Sequence, residues 1–494
     1  MRQFLKSKIL KFFGGMLCFE AFSFFIFKIK PFYDLENYFF ILFILLLIFF
    51  TLKNPRYGIY LAGAELIVGS QGHLLELTLP FGVLSLRMVI FILVMICSIS
   101  KAIYQKKINE TTFFLRKNFW LSCFACVVVF SLLQAIIKHN EIPNIYADFN
   151  NWLYALYLFP MLFYLKNKED WEVLKKIFIA GTLLIIIKTM FFLFVFSHDL
   201  SFGGDIYTWG RTTLWGEFTR IANGSYRIFS QSQIFCLLAF VIFLAQSLKQ
   251  QKLAKNTFIL TALNFFVVIT SLSRSFWLAA LFMTGLLFIF NFDKKILLKQ
   301  IFYILSPLAV AILLFLSVVN FPVKGSNEIK GFEMINSRFA NEAAVSSRWN
   351  QLPILIDGIR QAPLLGHGFG FNITYKSSDP RIKNEKNPEG YYTTYAFEWG
   401  FLDFALKFGF LGLFVYLIFI LKKIYIILFK RQTKKDFQSN PFLIALTLMI
   451  LTLIFVHATT PYLNHPLGLG VVISFLVVFN IVQEEHYQIE NNRS

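Results

Sequence analysis

Apolar runs recur along the whole chain, and short clusters of Lys and Arg separate them. Runs of about 18 or more apolar residues are long enough to cross a bilayer as helices. The pattern predicts about fourteen spans, at 9–27, 37–52, 57–71, 82–100, 118–138, 149–165, 175–197, 229–248, 257–273, 275–292, 300–320, 400–421, 441–458 and 463–482. The third is short and runs into Gly69-Ser70-Gln71-Gly72, which reads as a broken or re-entrant segment. Two long polar stretches interrupt the series, 198–228 and 321–398. The fold class expected is an all-α polytopic integral membrane protein. Its expected parts are an N-terminal transmembrane bundle (1–197), central transmembrane helices with a first outer loop (198–320), a large extracytoplasmic loop with short helices (321–399), and C-terminal transmembrane helices with a cytoplasmic tail (400–494).

Charge supplies an orientation. Lys53 and Arg56, Lys101 to Lys117, Lys166 to Lys176, Lys249 to Lys255, Lys294 to Lys299 and Lys422 to Lys435 all fall on one side of the predicted bundle. The positive-inside rule makes that side cytoplasmic, with both termini there and the first apolar run kept as a span. The chain is 57% hydrophobic, 18% aromatic and 15% charged, with a net charge of +19. The topological clusters account for that charge, so no nucleic-acid partner is expected; membrane lipids are. The five cysteines lie inside predicted spans, and the Cys123-x-x-Cys126 pair has no second thiol pair or histidine cluster beside it, so neither zinc nor disulfide chemistry is indicated. Neither a metal nor a cofactor is expected.

Against this rule, arginines remain on the outer side: Arg211, Arg220 and Arg227 in one stretch, and Arg338, Arg348, Arg360 and Arg381 in the other. Arg274 sits at the tight outer turn Ser271-Leu272-Ser273-Arg274-Ser275. Guanidinium groups kept there ask for an anionic partner, and diphosphate fits their bidentate fork.

The most informative stretch is 346–412. Trp349, Leu352, Ile356 and Ile359 recur at helical spacing, predicting a short surface helix over 344–362 that ends at Ala362-Pro363. Gly366, Gly368 and Gly370 then permit a tight turn with close backbone approach. Glu398-Trp399 precedes nine residues and then Gly409-x-x-Gly412. Arg348-Trp349, a helix, Pro363-Leu364-Leu365-Gly366-x-Gly368-x-Gly370, a polar stretch and a closing Gly-x-x-Gly resemble the O-antigen ligase/polymerase superfamily. Tyr226 to Ser230 and Ser273-Arg274 are similar to its arginine-containing segments.

The resemblance implies a GT-C-like membrane glycosyltransferase of the bacterial inner membrane. It also implies a glycan on undecaprenyl diphosphate as substrate, and a chain-length regulator as a possible partner. Ligases of the family carry a histidine where this chain has Glu398, which favours a repeat-unit polymerase with Glu398 as the catalytic base. Arg274, Arg348, Arg227 and Arg211 become the expected diphosphate ligands. His465 and His367 stand as alternative acid/base or glycan-contact groups, since no histidine pair has metal-site spacing. Tyr395 and Trp399 are candidates to stack on sugars, although a membrane-interface aromatic belt explains them equally. A ligase passing the glycan to lipid A core, and a transporter of lipid-linked sugars, are the competing expectations; the chain lacks the internal repeat that transporters tend to show.

Overall fold

A computed structural model describes residues 2–30, 35–79, 82–220, 226–251, 254–321, 343–379, 382–429 and 440–491, so Arg338 and Arg381 lie outside the described residues. Among the described residues, nine helices have the length and composition to cross a membrane, and Lys255–Thr270, Arg274–Phe290 and Pro441–His457 are shorter apolar helices. This is a multi-pass membrane architecture. Three two-stranded antiparallel hairpins add to the expected all-α scheme: Glu76–Leu79 with Gly82–Ser85, Glu217–Arg220 with Tyr226–Phe229, and Ile373–Lys376 with Tyr391–Thr394.

Two expected spans are not continuous long helices. The segment 57–71 forms the 14-residue helix Pro55–Val68, which stops at Gly69. Ser70 follows with φ 55° and Gly72 with φ 92°, left-handed conformations that no helix can continue through. The segment 149–165 is divided into Ile142–Leu153, a tighter turn at Tyr154–Tyr157, and Leu158–Tyr164. Pro160 has no N–H to extend the upstream ladder, so the chain tightens just before it.

Packing separates two compact units: Met1–Lys101 with Tyr164–Arg338, and Ala102–Phe163 with Phe339–Ser494. The first is built around Lys168–Ser197 and Ile234–Gln250, which are largely buried. Buried charges inside it such as Lys188, Glu20, Arg87 and Glu65 are paired, which offsets their removal from water. Lys188 Nζ lies 2.7 Å from Glu20 Oε1 and sits over the rings of Trp215 and Trp209, at 4.2 and 4.8 Å. Arg87 donates from Nε and Nη2 to both carboxylate oxygens of Glu65, at 2.9 and 3.0 Å.

The second unit is organised by a helix with a break in it. Gly400–Phe429 is long enough to span, but Gly409 inside it has φ 68° and ψ 178°. In an unbroken helix, the N–H groups of Phe410 and Leu411 would donate to the carbonyls of Leu406 and Lys407. Here they donate instead to Pro363 O (2.8 Å) and Leu364 O (3.2 Å). The abandoned carbonyls are taken over by His367 N–H on Leu406 O (2.8 Å) and Gly368 N–H on Lys407 O (3.0 Å). The 363–368 segment therefore replaces two helical hydrogen bonds with four of its own. Rings pack across the break, with Phe404 and Tyr416 at 4.9 Å and Trp152 near Phe404 and Phe408 at 5.5 Å each.

A Cβ at position 409 would run into the Leu364 carbonyl, and the backbone there is one that side chains rarely adopt. Gly409→Ala is expected to lower stability by about 1–3 kcal/mol or more. Gly285→Ala, where nothing lies within 4 Å of the added carbon, should be neutral or gain up to about 1 kcal/mol. Thermal unfolding of the detergent-solubilised protein measures both.

Candidate functional site

The glycine run is read most directly from its neighbours. An added Cβ at Gly366 would meet the Lys407 backbone, at Gly368 the backbone of Ser131 and Ala135, and at Gly370 the backbone of Asn144 and Ile145. All three have positive φ, from 70° to 87°. The loop is thus wedged between Phe119–Ile137, Ile142–Leu153 and the break at Gly409. Polar side chains complete its satisfaction. Gln134 Nε2 donates to Gly366 O (3.0 Å), Asn140 Nδ2 to Phe369 O (2.8 Å), and Gly370 N–H donates to Asp148 Oδ2 (3.0 Å). The glycines serve close backbone packing, as the turn predicted.

Ahead of the loop, Ala343–Gln361 matches the helix expected over 344–362 and carries Pro353 within it. Its Leu355 and Ile359 pack with Ile373, Phe397, Ala405 and Leu406 into a small core. Phe397 is 2% exposed, which turns the next side chain outward: Glu398 is 53% exposed and forms an ion pair with the Arg348 guanidinium. The neighbouring tryptophans brace that pair. Trp399 Nε1–H donates to the Arg348 carbonyl at 3.1 Å, and the Trp349 and Trp399 rings meet edge to face at 5.6 Å. Exposed ion pairs contribute only about 0–1 kcal/mol. This one therefore opens easily to a competing anion. Tyr395 is half-buried nearby in sequence, at the end of the Tyr391–Thr394 strand.

The histidines are held by backbone. His367 is buried, stacks on Phe371 at 3.9 Å, and donates from Nε2 to the Gly358 carbonyl at 2.8 Å. His465 Nδ1 accepts from Leu467 N–H (3.3 Å) at the start of Pro466–Asn491. His457 Nδ1 accepts from Leu463 N–H (3.2 Å), and its backbone oxygen lies against Gly400. The 457–465 turn is fastened to the head of Gly400–Phe429 a second time, where Asn464 Nδ2 donates to Asp403 Oδ2 at 3.0 Å. Just below, Lys407 Nζ lies 2.7 Å from Asp403 Oδ1 and 2.8 Å from Asp148 Oδ1. Sequence reasoning missed this cluster. Its legible signal was Asp403 and Lys407 four residues apart, one helical turn, in an otherwise apolar run.

In the first unit, Arg227 Nε donates to Ser271 O at 2.9 Å, its Nη1 lies 3.7 Å from Glu217 Oε2, and its guanidinium covers the Phe229 ring at 4.5 Å. Arg274 opens the helix Arg274–Phe290 beside Ser273 and Ser275, whose hydroxyls share a hydrogen bond of 2.9 Å. Two of the expected anion ligands, Arg227 and Arg274, are thereby brought to one serine-rich turn at a helix N-terminus, where the helix dipole favours negative charge. Arg211 and Arg220 are exposed, in Gly203–Thr212 and in the Glu217–Arg220 strand.

Residues 258–417 match the O-Antigen ligase family model. That stretch holds Arg274, Arg348, the glycine loop, Glu398 and the break at Gly409; Arg211, Arg227 and His465 fall outside it. The match supports the resemblance to the O-antigen ligase/polymerase superfamily that the motifs carry. No curated protein matches the chain at a significant level.

Burial holds the His367 pKa below its ordinary 6.5, and Lys138 pushes in the same direction. The unfolded chain takes up a proton near that value while the folded loop refuses it. Stability present above pH 6.5 is therefore lost as the pH falls below it. His367→Gln removes this titration, so its melting temperature should drop less than the wild type's between about pH 7 and about pH 5.5.

Proposed function

We propose that this protein polymerises lipid-linked saccharide repeat units at the extracytoplasmic face of a bacterial inner membrane, a reading supported by the match of residues 258–417 to the O-Antigen ligase family model. The observation that carries this reading is the exposed Arg348–Glu398 pair at the head of the broken helix Gly400–Phe429. It offers a carboxylate and a phosphate-binding cation side by side, on a braced backbone outside the long apolar helices.

The donor is a growing glycan on undecaprenyl diphosphate, and the acceptor is the terminal hydroxyl of a second lipid-linked unit. Glu398 takes the proton of that hydroxyl, its oxygen bonds to the anomeric carbon, and the bond from that carbon to the diphosphate oxygen breaks. The electron pair leaves with the lipid diphosphate, whose developing charge Arg348 stabilises. In the other unit, Arg227, Arg274 and Arg211 stand as candidates for an anionic ligand on guanidinium chemistry alone. The initial ion pair gives the step an order. When diphosphate oxygens engage Arg348, Glu398 loses its counter-ion and becomes the stronger base, because a nearby cation favours the charged carboxylate. Donor binding thus arms the base, and cationic side chains supply the leaving-group stabilisation that a metal would otherwise give.

The family's description as a ligase favours a second reading, transfer of finished glycan to a lipid A core or another acceptor. Loss of a ligase leaves full-length lipid-linked polymer, whereas loss of a polymerase leaves single repeat units. Under the polymerase reading, Glu398→Gln lowers polymer formation by about 10²–10⁴-fold, the usual worth of a general base, with the protein still present in the membrane. Unchanged chain length and yield would remove Glu398 from the mechanism.

A further inference from the structure

The Lys407 ammonium stands in a span-forming helix between two carboxylates, and its side chain is 4% exposed, with Asp403 at 3% and Asp148 at 8%. Three of the four carboxylate oxygens accept hydrogen bonds, and Asp403 Oδ1 lies against the ammonium as an ion pair. Lys407 Nζ meets Asp403 Oδ1 and Asp148 Oδ1, Asn464 Nδ2 meets Asp403 Oδ2, and Gly370 N–H meets Asp148 Oδ2. One cation thereby ties together four separate stretches: the Ile142–Leu153 helix, the glycine loop, the 457–465 turn and the head of Gly400–Phe429. For stability alone, apolar side chains of the same size would do as well or better. The cluster is better suited to fixing one geometry than to adding stability.

What it fixes is short. Gly400 to Phe408 is a stub of helix that ends at the glycine break, where the helical ladder no longer stiffens it. Asp403 lies one turn along this stub, with its N–H donating to the Trp399 carbonyl at 2.8 Å, and Glu398 is the residue before Trp399. Without a lateral tie, the stub can pivot at Gly409 and carry Glu398 with it. We infer that Lys407, bridging Asp148 and Asp403, is the positioning residue that sets where Glu398 stands. The inference rests on the reading of Glu398 as catalytic base. Lys407 itself reaches no substrate. Its contribution is to rate, because a displacement of about 1 Å costs a reacting group about 10²-fold.

Asp148→Asn tests it. This change leaves the neutral Lys407–Asp403 pair intact, and its single amide oxygen can accept from Gly370 N–H or from Lys407 but not from both, so one tie of Ile142–Leu153 is lost; thermal unfolding first identifies the variants that fold. The triple variant Asp148→Asn, Asp403→Asn, Lys407→Met is the second arm, removing every charge of the cluster. Two readouts are taken on each full-length protein in detergent: polymerisation kinetics with a lipid-linked donor, and hydrogen exchange of the 396–408 segment. The expected result is a fall of kcat by about 10-fold or more, with KM for the donor within about twofold, together with faster exchange confined to 396–408. Full kcat in a folded variant, a rise in KM alone, or unchanged exchange would each overturn the inference. Failure of the base assignment is separable. If Glu398→Gln polymerises normally, that assignment falls, while the exchange data still decide whether the cluster holds the stub.

Discussion

The second unit depends on an exchange of hydrogen bonds at Gly409. Breaking a helix inside an apolar region exposes carbonyls and N–H groups that lipid cannot satisfy, at several kcal/mol for each one left unmet. The 363–368 strand of backbone removes that penalty by donating to Leu406 and Lys407 and accepting from Phe410 and Leu411. Such an exchange is possible only if two backbones come into contact. Positive-φ glycines at 366, 368 and 409 allow that contact, and a Cβ at any of them would meet backbone atoms. Pro363 follows the preceding helix, which ends at Gln361, and is itself the first residue of the 363–368 segment. The Gly-rich loop and the distant Gly-x-x-Gly are two halves of one joint, which explains why the sequence carries both.

Much of this was legible from residue order. Nine long apolar helices among the described residues followed from apolar length, fewer than the fourteen spans expected, the helix before Pro363 from its periodicity, and the close approach of the glycine turn from the absence of side chains. Which backbone the turn would approach was not legible, since periodicity says nothing about partners 40 residues away. The break after 57–71 was legible in Gly69-Ser70-Gln71-Gly72, whereas at 149–165 hydropathy is high but the helix is divided ahead of Pro160. The Asp148–Lys407–Asp403 cluster was hidden for another reason. Asp148 lies 259 positions from Lys407, and a lone Asp before an aromatic run reads as an ordinary surface carboxylate until folding buries it. A histidine in a glycine turn looks chemical in sequence, and in the fold His367 spends its Nε2–H on a backbone carbonyl.

The charged pairs fall into two kinds, and burial decides which kind can take part in chemistry. Lys188 with Glu20, Arg87 with Glu65, and Lys407 with its two aspartates are almost wholly removed from water. Extracting one partner from such a pair strands the other, a loss of about 3–5 kcal/mol, so no substrate separates them during a turnover. Arg348 and Glu398 are 41% and 53% exposed, and their pairing is worth about 0–1 kcal/mol. A diphosphate, with more charge and more oxygens than one carboxylate, competes for that arginine at almost no cost. An exposed pair such as Arg348–Glu398 is therefore suited to exchanging partners, and buried pairs are suited to keeping the backbone around them still. Rigidity and lability, both made from Lys or Arg with Asp or Glu, are separated here by solvent alone.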